Sequence, residues 1–235
     1  MPSPLTLLLG GGLFLLPLFL SLSPQPAADA PPPAAPNRYV GAKVCKNCHD
    51  GVDKGDIFTK WEKSAHAKAF ATLATDAAKA AGKKLGVDEP QKSDQCLKCH
   101  VTAFGVDAKE IKRGFTMEDG VQCESCHGPG ENHFKTRFKE SQSSGAPAPI
   151  TADEIKSGRD VKQCTGCHNQ DSPTYKVFCL KERMLVIEHL DPRVARSKEQ
   201  LEKLRATCTP DCEKACDKKE DGGDAGQKKD KGSDK

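Results

Sequence analysis

A mainly α fold, built from short helices and loops with few or no strands, is what the sequence predicts, and three observations support this class. The 235 residues include only twelve aromatic residues (Phe 9, Tyr 2, Trp 1) against 29% charged residues, so one compact domain is the most that the chain can build. Cysteine and histidine are abundant, with 12 and 7 copies. Most of them fall into a repeated Cys-x-x-Cys-His pattern, which suits single helical turns.

The charge balance excludes one class of partner. Lys and Arg number 36 and Asp and Glu 33, which gives a formal net charge of +3. So small an excess supplies little of the electrostatic attraction that dominates binding to nucleic acid. We therefore expect no nucleic-acid partner.

The N-terminal residues predict export. Residues 1–30 resemble a secretory signal, because an apolar stretch precedes the small residues Ala28 and Ala30, whose spacing suits a signal peptidase. We expect cleavage after about Ala30 and a periplasmic or otherwise exported protein. The positive charge usual at the start of a signal is missing, so an uncleaved anchor in contact with the membrane is the alternative. The proline-rich residues 31–37 predict an extended spacer.

The repeated pattern decides the chemistry. Its four copies are Cys45-x-x-Cys48-His49, Cys96-x-x-Cys99-His100, Cys123-x-x-Cys126-His127 and Cys164-x-x-Cys167-His168. Residues i, i+3 and i+4 share one helical face, so two thiols can reach the vinyl groups of one porphyrin while the imidazole reaches its iron. Zinc ligands usually come from paired elements, and redox dithiols need no adjacent histidine. We therefore expect four covalently bound haem c groups.

These haems would also compensate for the shortage of aromatic side chains. Each haem is a large apolar plate, so four of them can be wrapped by helices and loops with little independent core. We expect residues 38–190 to form this tetrahaem cytochrome c domain.

Counting iron ligands shows that one haem must differ from the others. Four irons have eight axial positions, whereas the chain has seven histidines. The expected proximal ligands are His49, His100, His127 and His168. At most three irons can therefore bind two histidines, and the fourth takes Met117 or Met184 or keeps an open position.

The histidines outside the motifs are the expected distal ligands. His66 lies beside a predicted helical face formed by Phe58, Trp61, Ala65, Ala69 and Leu73. His133 is expected to serve a different haem from that of His127, because the turn between them cannot easily carry it across the same porphyrin. His189 follows an apolar stretch on a predicted helix or strand.

The C-terminal part contains the remaining cysteines, which are Cys179, Cys208, Cys212 and Cys216. In residues 191–216, Ser197 and Gln200 predict the start of a helix. Two disulfides are expected, in any of three connectivities, and a metal site is the alternative. Cysteines four apart on a straight helix pair poorly, so either the helix breaks at Pro210 or Cys179 takes one partner. Residues 217–235 predict a disordered, charged tail.

Several segments resemble the tetrahaem cytochrome c-554 family. They are Tyr39-Val-Gly41, Trp61-x-x-Ser-Ala-His66-Ala-Lys-Ala, Cys99-His100-Val-x-x-Phe-Gly105 and Gly120-Val-x-Cys123-Glu-Ser-Cys126-His127-Gly-Pro-Gly130. The last two are specific, whereas a bare haem motif is not. The resemblance covers nearly all of the predicted domain and implies a helical wrap around closely stacked haems.

The resemblance also implies ligand assignments. His133 would be the distal ligand of the first haem, that of His49. His66 would serve the haem of His168 and His189 that of His127, although these two could be exchanged. The second haem, that of His100, would be five-coordinate, which agrees with the shortage of one histidine.

We therefore expect a periplasmic carrier that passes single electrons between a redox donor and an acceptor through transient docking. The first alternative is an enzyme that reduces a small nitrogen oxide at the open second haem. A second is a subunit of an extracellular or membrane-bound cytochrome assembly. The sequence leaves the oligomeric state open.

Overall fold

The computed structural model describes residues 35–156, 158, 160–176 and 180–205. The predicted signal (1–30), most of the spacer (31–37), the tail (217–235) and Pro210 lie outside these residues. So do four cysteines, namely Cys179, Cys208, Cys212 and Cys216. The predictions made for them stay predictions.

The described part of the chain is helical, which confirms the predicted class. Its α-helices are α1 (Ala42–His49), α2 (Ile57–Glu62), α3 (Ala69–Thr72), α4 (Asp76–Lys83), α5 (Asp94–His100), α6 (Cys123–His127), α7 (Glu131–Ser141), α8 (Val161–Thr165), α9 (Leu180–Ile187) and α10 (Lys198–Arg205). Four single 3-10 turns accompany them, at Val52–Lys54, Pro90–Lys92, Ala108–Glu110 and Met117–Asp119. No sheet forms among the described residues, where one isolated parallel bridge joins Tyr39 to Ile111.

The motifs lie on helical turns, as their spacing predicts. The first and second motifs end α1 and α5, and the third makes up the whole of α6. The fourth differs slightly, because α8 stops at Thr165 before the motif is complete. Its helical turn nevertheless continues, since His168 N donates to Cys164 O at 2.8 Å.

The single buried helical face predicted around His66 is wrong. Phe58 and Leu73 are buried as expected, but Ala65 is exposed, α2 ends at Glu62 and α3 begins at Ala69. Turns connect the two helices, and here Val121 N donates to His66 O at 3.0 Å. A hydrogen bond from a distant segment has replaced part of the helical pattern, which periodicity alone cannot reveal.

The predicted start of the last helix is present. Ser197 Oγ accepts from Gln200 N at 3.1 Å, and Gln200 Oε1 accepts from Ser197 N at 2.8 Å. This reciprocal pair is the capping box that the sequence indicates at the N-terminus of α10.

The described aliphatic and aromatic core is small. Its fully buried members are Val40, Ala42, Phe58, Leu73, Val87 and Val101. Equally buried are the polar side chains of Thr102, Gln122, Glu124, Glu131 and Glu154. Buried polar groups are costly unless they are hydrogen-bonded, so their partners indicate what fixes the loops.

Two of these polar side chains connect the first and third motifs. Glu124 lies inside the third motif, and its carboxylate accepts from the backbone N–H groups of Val40, Gly41 and Gly130 at 2.8–2.9 Å. Gln122 Oε1 accepts from Ala42 N at 2.7 Å. Burial raises the pKa of Glu124, and the three N–H groups oppose that rise. The start of α1 is therefore held against α6 by side chain to backbone bonds.

No helix among the described residues has both the length and the apolar character that are needed to cross a membrane.

We expect Glu124→Ala to lower the free energy of unfolding by about 3 kcal/mol, because three buried N–H groups lose their acceptor. Guanidinium unfolding of the purified protein measures this loss. Glu118→Ala is the control, since Glu118 is exposed. Equal stability of the two variants would contradict the role given to Glu124.

Candidate haem centres

Six of the seven histidines form three pairs. The ring centroids lie 6.2 Å apart for His49 and His133, 6.1 Å for His66 and His168, and 5.9 Å for His127 and His189. Two imidazoles bound to one metal ion from opposite sides, each at about 2 Å, would have centroids about 6 Å apart. Each pair therefore has the separation of two axial ligands.

Each pair combines one motif histidine with one histidine from outside the motifs. His49 ends α1 and faces His133 on α7, and His127 ends α6 and faces His189, two residues after α9. His168 follows α8 and faces His66 in the turns before α3. These neighbours are the combinations that the family resemblance implies, and the ligand assignments themselves stay predictions.

His100 is the histidine without an imidazole opposite it. All seven histidines lie in the described part of the chain, and the other six are paired with one another. His100 still has a fixed orientation, because its Nδ1 lies 2.7 Å from Ala69 O. The choice among Met117, Met184 and an open position on this iron stays a prediction.

Backbone carbonyls determine which nitrogen of several rings is free to bind a metal. Nδ1 of His127 lies 2.9 Å from Lys156 O, and Nδ1 of His189 lies 2.9 Å from Ile187 O. A carbonyl oxygen only accepts, so Nδ1 carries the hydrogen and Nε2 keeps its lone pair. The same holds for His100 and Ala69. A neutral imidazole with a free Nε2 is the form that binds iron.

Burial also favours neutral rings. It is the largest cause that lowers the pKa of His49, His66, His133 and His168. The partner ring is the next cause for two of them, since His133 lowers the pKa of His49 and His168 lowers that of His66. The pairs His49–His133 and His66–His168 therefore resist protonation, as paired metal ligands must.

The motif cysteines adjoin one another across motifs. Hydrogen bonding to Cys123 raises the pKa of the Cys45 thiol. Burial raises the pKa of Cys126 and of Cys167, and neighbouring thiols add to it: Cys164 for the former and Cys99 for the latter. In a haem-bearing protein these sulfurs are thioethers and do not titrate, but the shifts still show which cysteines lie near one another. The first motif lies near the third, the third near the fourth, and the fourth near the second.

The residues present fit haem c. Each motif offers two cysteines and a histidine on one turn, and the paired rings have metal-ligand spacing.

Sequence reasoning missed the groups that orient the histidines. The carbonyls of Ala69, Lys156 and Ile187 carry no sequence signal, because any residue supplies a carbonyl. Glu154 is different, because its buried carboxylate lies 3.5 Å from His133 Nδ1 through its Oε2 atom. An acidic residue in a loop is ordinary, so nothing in the pattern singled it out.

Comparisons with known proteins identify the family. The model of the family "Cytochrome c554 and c-prime" matches residues 44–128, which contain the first three motifs. Cytochrome c-554 of Nitrosomonas europaea is 35% identical over 173 residues, covering 67% of this chain and 66% of that protein. The chain thus spans just under two thirds of that relative's length. No solved structure gives a significant match. The matched motifs, the identity and the helical fold that carries them show that the chain belongs to the cytochrome c-554 family of c-type cytochromes.

Proposed function

We propose that this chain holds four haem c groups and carries single electrons between a redox donor and a redox acceptor outside the cytoplasm. The observation that carries the proposal is the set of three imidazole pairs at 5.9–6.2 Å, each built on a Cys-x-x-Cys-His motif. A c-type haem supplies reversible one-electron chemistry at its iron.

The axial ligands of three irons are His49 with His133, His127 with His189, and His168 with His66. Two strong nitrogen ligands keep the coordination number unchanged when an electron arrives or leaves. Backbone carbonyls fix the ring orientations of His127 and His189 in advance, which reduces the rearrangement that transfer at their iron requires. A carrier needs little else from its protein.

The arrangement of the cysteines supports transfer within the chain. α1 packs against α6, and α6 packs against α8. Together with the thiol contacts, this brings the attachment sites of the first and third haems together, then those of the third and fourth, then those of the fourth and second. Electrons can therefore pass through neighbouring cofactors in that order.

The first motif supports exchange with partners. Cys48 is the one exposed cysteine among the eight of the motifs, so the attachment edge of the first haem lies at the surface. Docking there would be transient, and partners are protein redox centres of donor and acceptor. The signal-like residues 1–30 favour the periplasm as the location.

Electron paramagnetic resonance of the oxidised protein should show three low-spin irons and one high-spin iron. Three irons have two histidines each, whereas the iron of His100 has no second imidazole. Haem staining and intact mass should give four haems per chain. Four low-spin signals would contradict an open position on the iron of His100 and would favour Met117 or Met184 as its second ligand.

Gly158→Ala should disturb the third haem. At φ +72° an added Cβ would lie 2.7 Å from His127 Cε1, so the ring must leave its position opposite His189. Most molecules should lose one low-spin signal. Gly86→Ala is the matched control, because Gly86 has the same φ and no atom within 4 Å of an added Cβ. The proposed pairing fails if both variants keep three low-spin signals.

The unpaired His100 favours one alternative, reduction of a small nitrogen oxide at the second haem. Reduced protein mixed with nitric oxide should then change the spectrum of one haem and consume the gas with turnover. Binding without turnover is what we expect of a carrier with an open iron. Sustained consumption would establish the enzyme instead.

A further inference from the structure

Glu154 is a buried carboxylate with a fixed position. Glu154 is 7% exposed, and Arg137 Nη2 donates to its Oε1 at 2.6 Å and to its Oε2 at 2.8 Å. Arg137 Nε adds a bond to Oε2 at 3.1 Å, and Thr151 Oγ1 donates to Oε1 at 3.3 Å. Asn37 Nδ2 donates to the backbone oxygen of Glu154 at 3.3 Å. A guanidinium in this geometry keeps the carboxylate ionised.

The carboxylate lies beside one ring of the first pair. Glu154 Oε2 is 3.5 Å from His133 Nδ1, the end of the ring remote from the atom that would bind iron. At this distance the carboxylate acts on the ring through its charge, and the two atoms do not form a hydrogen bond. Arg137 lies one turn after His133 on α7, so the same helix positions the ring and the anchor of its carboxylate.

This environment differs from that of other rings. Nδ1 of His100, His127 and His189 each faces an uncharged backbone carbonyl. His133 Nδ1 faces an anion instead. The same loop shows the contrast, because Lys156, two residues after Glu154, contacts the His127 ring through its backbone carbonyl.

We propose that Glu154 is a positioning residue that orients His133 through Nδ1 and lowers the reduction potential of the first haem. This inference rests on the proposed function, in which His133 is an axial ligand. A carboxylate at Nδ1 makes the imidazole a stronger donor to the metal, and its negative charge favours the oxidised iron. Arg137 holds the carboxylate in place and offsets part of its charge.

The test is Glu154→Gln in the full haem-bearing protein, followed by a potentiometric titration monitored by electron paramagnetic resonance. The amide keeps the size of the side chain and removes its charge. We expect the equilibrium constant for reduction of one low-spin haem to rise about tenfold, which is about 59 mV for one electron. The low-spin signal of that haem should also shift, because the donor strength of its ligand changes.

Glu131→Gln is the matched control. Glu131 is also buried and shares α7 with His133, but the carboxylate of Glu131 forms its ion pairs with Arg38, Lys112 and Lys135. Its loss should reduce stability and leave the shapes of all low-spin signals as in the native protein. If Glu154→Gln shifts no signal and no midpoint, or if both variants shift the same haem equally, the inference is overturned.

Glu154→Asp carries the test if the glutamine variant does not mature with haem. The aspartate keeps the charge and withdraws it by one methylene, so the same midpoint potential should rise by a smaller amount. An unchanged midpoint potential would overturn the inference.

His133→Ala separates the assignment of His133 as a ligand from the role of Glu154. It should convert one low-spin iron to high spin, and that signal should be the one that Glu154→Gln shifts. Retention of all three low-spin signals in His133→Ala would contradict the ligand assignment. Unchanged signals and midpoint potentials in Glu154→Gln would contradict only the role of Glu154.

Discussion

Hydrogen bonds from buried side chains to distant backbone groups hold the described loops together, and the rest of the structure depends on them. With six fully buried apolar residues in the described part of the chain, aliphatic packing contributes little. Glu124 and Gln122 instead accept from N–H groups at the start of α1. Because both residues belong to the region of the third motif, the same bonds determine how far apart the first and third motifs lie.

A second constraint acts on the imidazoles. A ring that is to bind iron must be neutral, must present Nε2 and must not rotate. Burial provides the first condition for several rings, and contacts at Nδ1 provide the other two. These contacts come from different sources, which are backbone carbonyls for His100, His127 and His189 and a carboxylate for His133. One fold can therefore give chemically identical cofactors different electrostatic surroundings.

The sequence predicts the parts of this arrangement that depend on local spacing. The motif turns and the capping box of α10 follow from residues three or four apart, and the number of histidine pairs follows from counting histidines. The partners of the rings could not be predicted, because Glu154 and the carbonyl of Lys156 reach His133 and His127 through tertiary contacts of a loop. The interruption between α2 and α3 was missed for the same reason, since Val121 is far along the chain from His66.

The early end of α3, at Thr72, explains how the unpaired histidine is held. In a continuous helix the carbonyl of Ala69 would accept from the N–H of Leu73. Because α3 is only four residues long, Leu73 N donates to Phe70 O at 3.1 Å, and Ala69 O is available to His100 at 2.7 Å. Since α3 packs against α5, the early end of α3 leaves this carbonyl in position to orient His100. The proximal side of the second haem site is therefore as well prepared as that of the third, and the difference between them lies in the missing distal imidazole.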